Sequence, residues 1–196
     1  MKEVSVMAQK EDLRVRKTKK AISEAFMALL GEKPIEEMTV NELCDRADVR
    51  RTTFYKHYRD KYDYIASFAK GMRDRFDDII WRTGKPDITP EYYVQYAKQV
   101  VSFISKHETE VNNILNSPIA PTVVSIISEQ NYKDTYNKLV DSEKSGMMLS
   151  ASPEVVSSMI VGAVSNTIYA WLMSGRTKDA DTLAEEIGNI VRKCLE

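Results

Sequence analysis

Residues 50–57 bring together side chains that bind anions and read hydrogen-bonding edges. The stretch reads Arg-Arg-Thr-Thr-Phe-Tyr-Lys-His. An arginine can donate two parallel hydrogen bonds to guanine or to a phosphate, and a threonine offers a hydroxyl together with a methyl that packs on thymine. A stiff tyrosine ring with a hydroxyl at its tip suits contact with a phosphate. The stretch therefore indicates contact with nucleic acid, and its candidate contact residues are Arg50, Arg51, Thr52, Thr53, Tyr55, Lys56 and His57.

Two short helices with a tight turn between them must position these side chains. Thr39 and Glu42 have the spacing of a capping box, which predicts a helix from Val40. Asp48 follows in the turn, where aspartate tolerates the left-handed backbone that the turn requires. A second helix is predicted over residues 50–58. Two helices joined by so short a turn form a helix-turn-helix, whose second helix enters the DNA major groove.

A further helix is predicted to start directly after this motif. Asp60 and Asp63 can cap it, and Lys61 lies at its positive N-terminus, where an anion can bind. We therefore count Lys61, together with Thr39 at the start of the motif, among the candidate DNA contacts.

Residues 49–61 resemble the signature of the tetracycline-repressor (TetR) family: a Thr, an apolar residue and Tyr, an aromatic residue three positions on, then a capping residue and Lys. The likeness covers roughly the first third of the chain. The sequence differs from the family at Asp48, Arg50, Tyr62 and Tyr64, where Gly, a small capping residue, Glu and Leu are usual. The resemblance implies that Tyr55 and Lys61 contact the DNA backbone. It also implies a homodimer that binds a palindromic operator, usually as a repressor, and often responds to a ligand.

The charge is distributed unevenly along the chain. The 196 residues hold 28 Lys and Arg against 29 Asp and Glu, but residues 1–75 hold 17 against 13 and the remainder 11 against 16. A basic N-terminal part on an acidic body suits a head that binds a polyanion.

Composition also predicts where the protein works. The two cysteines, Cys44 and Cys194, are far apart in sequence and each lies on the apolar face of a predicted helix, so we expect buried free thiols in a reducing compartment. We find no secretory signal and no run of 18 apolar residues. The sequence therefore predicts a cytoplasmic protein without a membrane partner.

Every element that we predict is a helix, so the expected fold is all-α. Residues 1–12 are expected to be a flexible tail, residues 13–60 a three-helix helix-turn-helix head, and residues 61–196 an antiparallel helical body that binds a ligand and dimerises. One long helix, from Asp60 to about Thr83, belongs to both parts and is the expected mechanical link between them.

The body offers candidate ligand contacts and a candidate dimer surface. Its aromatic and amide side chains can line a pocket for an apolar ligand, and we select Tyr96, Tyr136, Asn166 and Tyr169. The last two helices resemble the C-terminal half of a Firmicutes-type branch of the family, which implies a homodimer interface there. From the small residues and the apolar stripe of these helices we select Gly162, Leu183, Ile187 and Ile190.

Two alternatives remain open at this stage. The body could bind a partner protein instead of a small molecule, which would make the chain a co-regulator. An enzyme is disfavoured, because Ser67-Phe-Ala-Lys70 lacks the companion motifs of acylating enzymes and His107 with Glu108 and Glu110 lacks a chelating spacing. We therefore predict no catalytic residue, no metal and no cofactor.

Overall fold

The computed structural model describes residues 13–83 and 90–195, and within these ranges all regular elements are helices. The described helices are α1 (Leu13–Glu32), α2 (Val40–Arg46), α3 (Arg51–Tyr55), α4 (Lys61–Thr83), α5 (Pro90–Lys106), α6 (Glu108–Leu115), α7 (Ala120–Lys144), α8 (Pro153–Met173) and α9 (Ala180–Leu195). The all-α prediction is confirmed. The predicted tail at 1–12 and the predicted breaker between α4 and α5 lie outside the described residues.

The head closes around a small aromatic and aliphatic core. Phe26 of α1, Phe54 of α3, and Tyr58 and Tyr64 are all buried, and the rings of Phe54 and Tyr64 lie 5.1 Å from that of Tyr58. Rings at such distances and tilts attract one another beyond the effect of burial alone. This core fixes the orientation of α3 relative to α1 and α4.

The recognition helix is shorter than the sequence predicted. We expected residues 50–58, but α3 spans only Arg51–Tyr55, with Arg50 at its N-cap. The reason is that Tyr58 must turn back into the core, so residues 56 and 57 form a turn in which the amides of His57 and Tyr58 both donate to the Phe54 carbonyl. Lys56 and His57 therefore follow the helix rather than continuing it.

The body is built on a close contact between α5 and α9. Gly188 of α9 lies against Val94 of α5, and a Cβ at position 188 would fall 2.1 Å from Val94 Cγ2. Only glycine permits this approach. Leu183, Ile187 and Val191 fill the same interface and are all buried. The apolar stripe of α9 is therefore mainly core of its own subunit.

Head and body share apolar packing. The head cluster takes in Tyr64 and Ile65 of α4 and also Val123 of α7, which is completely buried. At the other end of α4, Ile80 packs in the cluster of the body. Because densely packed interiors transmit small displacements, a movement in the body can reach the head through α4 and α7.

Candidate nucleic-acid interface and ligand cavity

The turn of the helix-turn-helix has the backbone that the sequence predicted. Asp48 has a φ of 51°, in the left-handed region, and the amide of Val49 donates to the Cys44 carbonyl at 2.9 Å. Both cysteines are free thiols, as predicted, but only Cys44, beneath the turn, is buried; Cys194 is half-buried. The turn thus directs α3 away from α2 at a fixed angle.

Most of the candidate contact side chains lie on the outer surface of α3 and the turn after it. Arg50, Arg51, Thr52, Tyr55 and Lys56 are exposed, while Thr53 and His57 are half-buried. Tyr55 is 54% exposed although its ring packs edge-on against Phe54. The contact with Phe54 restricts the ring while much of the side chain stays accessible to solvent. The structure therefore brings all seven together at one edge of the head.

Arg51 is already oriented within this surface. One of its terminal nitrogens, Nη1, donates to Asn41 Oδ1 of α2 at 3.2 Å. Arg50 at the N-cap makes no capping bond with its side chain. Arg51 is thus held near one position, which reduces the rotamer entropy that a base contact would cost.

Thr39 and Glu42 form the predicted capping box. The Glu42 amide donates to Thr39 Oγ1 at 3.2 Å, and the Thr39 amide donates to Glu42 Oε2 at 3.0 Å. Bonds from Lys33 and then from Thr39 lower the pKa of Glu42 to about 2. The Thr39 hydroxyl is therefore occupied in capping α2, although the residue itself is exposed.

Lys61 has partners within the protein that the sequence did not suggest. Its ammonium donates to the carbonyl oxygens of Ile35, Glu36 and Met38 at 3.1–3.3 Å. An ammonium has three N–H groups, so these three bonds use all of them. In this structure Lys61 holds the segment before α2 in place, instead of presenting a free charge to a phosphate.

The same segment is held from its other side by α6. Asn113 Nδ2 donates to the Leu30 carbonyl at 2.7 Å, and the Ile35 amide donates to the Asn113 carbonyl at 3.3 Å. We call residues 33–38 the connecting segment. It lies between Lys61 of α4 and Asn113 of α6, and it ends at the N-cap of α2, so its position sets where the helix-turn-helix begins.

A cavity of about 260 Å³ lies beside the connecting segment. Its walls come from α4, α5, α6, α7 and α8 of the body and from four residues of the head: Phe26, Met27, Leu30 and Ile35. Small-molecule sites are typically apolar with a few placed polar groups, and an engineered apolar cavity of roughly 150 Å³ already binds benzene. The cavity is therefore large enough for a small apolar ligand, which would touch the core of the head directly.

One wall of this cavity is polar. Arg73 of α4 is only 4% exposed, and its guanidinium lies 4.5 Å from the centre of the Tyr96 ring. It donates to Asp134, to Asn131 Oδ1 at 3.2 Å and to Thr135 Oγ1 at 3.3 Å. Burial opposes its charge, yet the surrounding tyrosines and carboxylates raise the pKa of Arg73 above its ordinary value. The cavity wall thus contains a permanently charged group.

The cavity includes only part of the predicted ligand set. Tyr96 and Tyr169 line it, but Asn166 is exposed outside it, and the hydroxyl of Tyr136 lies 3.3 Å from Glu154 on the surface. Sequence reasoning missed Arg73 and Asn131. Arg73 had a signal, because it falls four residues after Ala69 and three before Phe76, on the apolar face of α4.

The predicted dimer residues divide between the interior and the surface. Leu183 and Ile187 are 5% and 6% exposed and belong to the core of their own subunit, whereas Ile190 is 56% exposed and Gly162 is also exposed. The first two must hold α9 on α5 and are not free to meet a second subunit. Three large apolar side chains of α8 are exposed as well, Val155, Met159 and Met173, and Met159 lines the same surface hollow as Ile190.

Helix α8 is unusually apolar for its exposure. By length and composition alone it could cross a membrane, but one such helix is weak evidence for a span, and 22% of its most apolar window is buried. Much of its apolar surface therefore faces outward in a single subunit.

The comparisons with known proteins agree with this architecture. Residues 22–66 match the family model described as bacterial regulatory proteins, tetR family. The chain is 22% identical over 175 residues to the HTH-type transcriptional regulator YxbF of Bacillus subtilis (strain 168). That match covers 77% of this chain and 46% of YxbF, so the chain spans about half the length of that relative.

Two solved structures have the same fold along most of the chain. The fatty acid degradation regulator FadR from Bacillus halodurans superposes with a TM-score of 0.61 at 16% identity, covering 90% of this chain and 99% of its own. FadR from Bacillus subtilis, in complex with stearoyl-CoA, gives 0.60 at 16% identity with the same coverage. The head therefore has the architecture of a helix-turn-helix regulator, and its residues are the ones that match the tetR family model. The likeness of the whole chain to the two FadR structures shows that it shares their fold.

The position of Lys61 leads to a prediction about the salt dependence of DNA binding. Each phosphate contact that is lost lowers the slope of log affinity against log salt by about 0.9. Lys56 is exposed on the candidate DNA surface, so Lys56→Ala should lower the slope by about that amount for each bound subunit. Lys61→Ala should leave the slope unchanged and reduce the thermal stability of the protein, because it releases three carbonyl groups of the connecting segment.

DNA titrations of both variants over a range of salt concentrations, with melting curves in parallel, separate these roles. A lower slope for Lys61→Ala, at unchanged melting temperature, would show that Lys61 binds a phosphate after all.

Proposed function

We propose that this protein is a homodimeric, ligand-responsive repressor that is located in the cytoplasm and binds a palindromic DNA operator. The observation that carries the proposal is the cavity between body and head, because its wall includes residues of the head core itself. A regulator needs a site where a ligand interacts differently with two states. A cavity that is formed jointly by both parts has this property.

The exposed edge of the head is the proposed DNA surface. In a helix-turn-helix the second helix lies in the major groove with its N-terminal residues on base edges. Here those residues are Arg50, Arg51 and Thr52, with Tyr55 and Lys56 placed to reach the phosphates on either side. Thr53 and His57 are half-buried and border the surface, and Thr39 is exposed at the N-cap of α2.

The response to a ligand would pass through the connecting segment and α4. A ligand that displaces Ile35 or Leu30 would strain the two hydrogen bonds of Asn113 and the three hydrogen bonds of Lys61. Since the segment ends at the N-cap of α2, the head would turn relative to the body, and α4 would tilt with it. In a dimer this changes the separation of the two recognition helices, which must match half-sites a fixed number of helical turns apart.

The outer face of α8 and α9 is the proposed dimer surface. A two-fold interface places the same patch of both subunits against each other. The exposed Met159, Gly162 and Ile190 provide such a patch, and we retain Gly162 and Ile190 from the sequence prediction while assigning Leu183 and Ile187 to the core. A second copy covering this face would also bury the apolar surface of α8.

A small-molecule effector is favoured over a partner protein as the signal. A partner protein needs an exposed apolar patch, and the patch on α8 and α9 is taken by the second subunit in this proposal. A small molecule needs a concave, mostly apolar space, and the partly open cavity provides one. Of the predicted ligand residues, Tyr96 and Tyr169 stay in the proposed site.

Selection of bound DNA from a random pool tests the function and the role of Arg51 together. We expect a palindromic consensus for the parent protein. Arg51→Ala should lose preference at one symmetric pair of positions, because a bidentate base contact is worth about 1–3 kcal/mol of discrimination. Lys133→Ala, a charge change at an exposed position of α7 in the body, serves as the control. The absence of any consensus for the parent would refute the proposed function, and an unchanged consensus for Arg51→Ala would assign base reading elsewhere.

Ile190 and Ile187 provide a matched pair for the dimer, since they lie three residues apart on α9 and differ mainly in exposure. We expect Ile190→Asp to remain folded and become monomeric, with loss of palindrome binding and retention of weak non-specific binding. Ile187→Asp should unfold, because it buries an unpaired charge.

Light scattering measures whether each variant is a dimer or a monomer, and circular dichroism measures whether it is folded. A folded Ile190→Asp protein that stays dimeric would place the interface on another surface.

A further inference from the structure

We infer that the cavity binds an uncharged apolar molecule of on the order of ten non-hydrogen atoms that carries one hydrogen-bond acceptor. The inference rests on the proposed function, because it names the class of ligand for the cavity described there. Three independent features of the cavity carry it: its volume, the kind of polar group in its wall, and the balance of charge around that wall.

The volume limits the size of the ligand. An engineered cavity of roughly 150 Å³ holds benzene, which has six non-hydrogen atoms, so by proportion a cavity of about 260 Å³ holds on the order of ten. A chain of eight or nine carbons with a small head group, or a bicyclic ring, fills this space. A stearoyl chain, such as the one bound by the FadR from Bacillus subtilis, is about twice as long and would extend out of the cavity, so we expect a shorter ligand to fit better.

The polar wall has donors to spare. We call Arg73, Tyr96 and Asn131 the donor cluster. Asn131 Oδ1 accepts from Arg73 and, at 3.4 Å, from the Tyr96 hydroxyl. These two bonds fix the orientation of the amide, and its NH₂ group has no acceptor among the described residues. Arg73 uses three of its five N–H groups on protein partners in the same part of the chain.

Spare donors beside an apolar cavity select for an acceptor. A donor that a bound ligand covers without pairing costs free energy, so a ligand that presents a carbonyl or ether oxygen to this wall avoids a cost that a pure hydrocarbon incurs. The rest of the lining is mainly aliphatic and aromatic, which suits a hydrocarbon body attached to that oxygen.

The charges around the wall are already balanced. Asp134 accepts from Arg73 and lies 2.7 Å from Lys138, and Lys138 also pairs with Asp77. Two cations thus face two anions. At another part of the cavity, Glu110 Oε1 lies 3.2 Å from His107 Nδ1. A carboxylate ligand would be buried without a cation to itself, which is costly, so the neutral acceptor is favoured over an acid.

A head-group series of nearly constant size tests the inference. We would titrate 2-nonanone, nonanoate and octyltrimethylammonium, and in addition 2-nonadecanone as the long-chain ketone, into the full chain by calorimetry. We expect 2-nonanone to bind at least about tenfold more tightly than the acid, the cation and the long ketone. Tightest binding by nonanoate or by the ammonium compound, binding of the long ketone at equal strength, or no binding of 2-nonanone would each overturn the inference.

A single conservative variant tests the donor cluster. Asn131→Asp keeps an oxygen for Arg73 and Tyr96 but replaces the donating NH₂ by an acceptor. We expect it to weaken 2-nonanone about threefold to tenfold, as for the loss of one hydrogen bond. Asn137→Asp makes the same change at an exposed position of α7 and should have no effect. Equal binding by both variants would show that the amide does not contact the ligand.

The outcome is independent of the DNA test. If the random pool yields a palindrome but 2-nonanone does not bind, the ligand class is wrong and the proposed function stands. If the pool yields no consensus, the proposed function fails whatever binds in the cavity.

Discussion

The structure depends on apolar packing that does not stop at the boundary between head and body. Helix α4 contributes Ile65 to one core and Ile80 to the other, and α7 places Val123 within the head. Because protein interiors are close-packed and deform little, neither part can shift alone without opening a gap. The cavity is a place beside the head where this packing is incomplete. A ligand there would replace missing contacts, and it would do so against both parts at once.

Polar interactions determine which part of α4 is held in place and which part can shift. Arg73 and Asp134, and Lys138 and Asp77, join α4 to α7, and Tyr92 of α5 donates to Asp77 at 2.7 Å. Ion pairs that lose most of their hydration contribute little net stability, but breaking one leaves an uncompensated charge. The middle of α4 is therefore held firmly on α7. At its N-terminal end, α4 is held by Lys61 through bonds to backbone carbonyls, which are weaker and more easily rearranged.

The sequence predicted the parts whose signals are local. The capping box at Thr39, the left-handed Asp48, the cap at Asp60 and the periodicity of the long helices all depend on neighbours within a few residues, and the structure contains each of them. The same rules failed for the end of α3, because the burial of Tyr58 in the head core, a tertiary contact, ends the helix three residues early. They also could not divide the stripe of α9, where Ile187 and Ile190 look alike in sequence and only the close approach of Gly188 to Val94 decides which one faces inward.

In the candidate site, too, the sequence predicted the features that depend on neighbouring residues and missed those that depend on tertiary contacts. The proposed DNA surface is continuous in sequence and could be predicted from residues 50–57. The cavity draws on six helices and the connecting segment, so Arg73 was hidden within an apolar pattern, Asn131 gave no signal, and Tyr136 and Asn166 were chosen by residue type alone. Lys61 was in the right position for an anion at a helix N-terminus, but three carbonyl groups, 23 to 26 residues earlier in the chain, take its hydrogen bonds.

The central claim is that filling the cavity changes the DNA affinity of the head, and one substitution tests it without any ligand. Ala69 lines the cavity from α4, so Ala69→Leu fills part of the space permanently, whereas Ser67→Leu adds similar volume at an exposed position of the same helix. The measurement is the affinity of each folded dimer for the selected palindrome at one salt concentration. Allosteric coupling typically amounts to about fivefold to 150-fold in affinity, so we predict that Ala69→Leu binds at least about fivefold more weakly than the parent while Ser67→Leu binds equally well. Parental affinity for a stable, dimeric Ala69→Leu protein would contradict the claim.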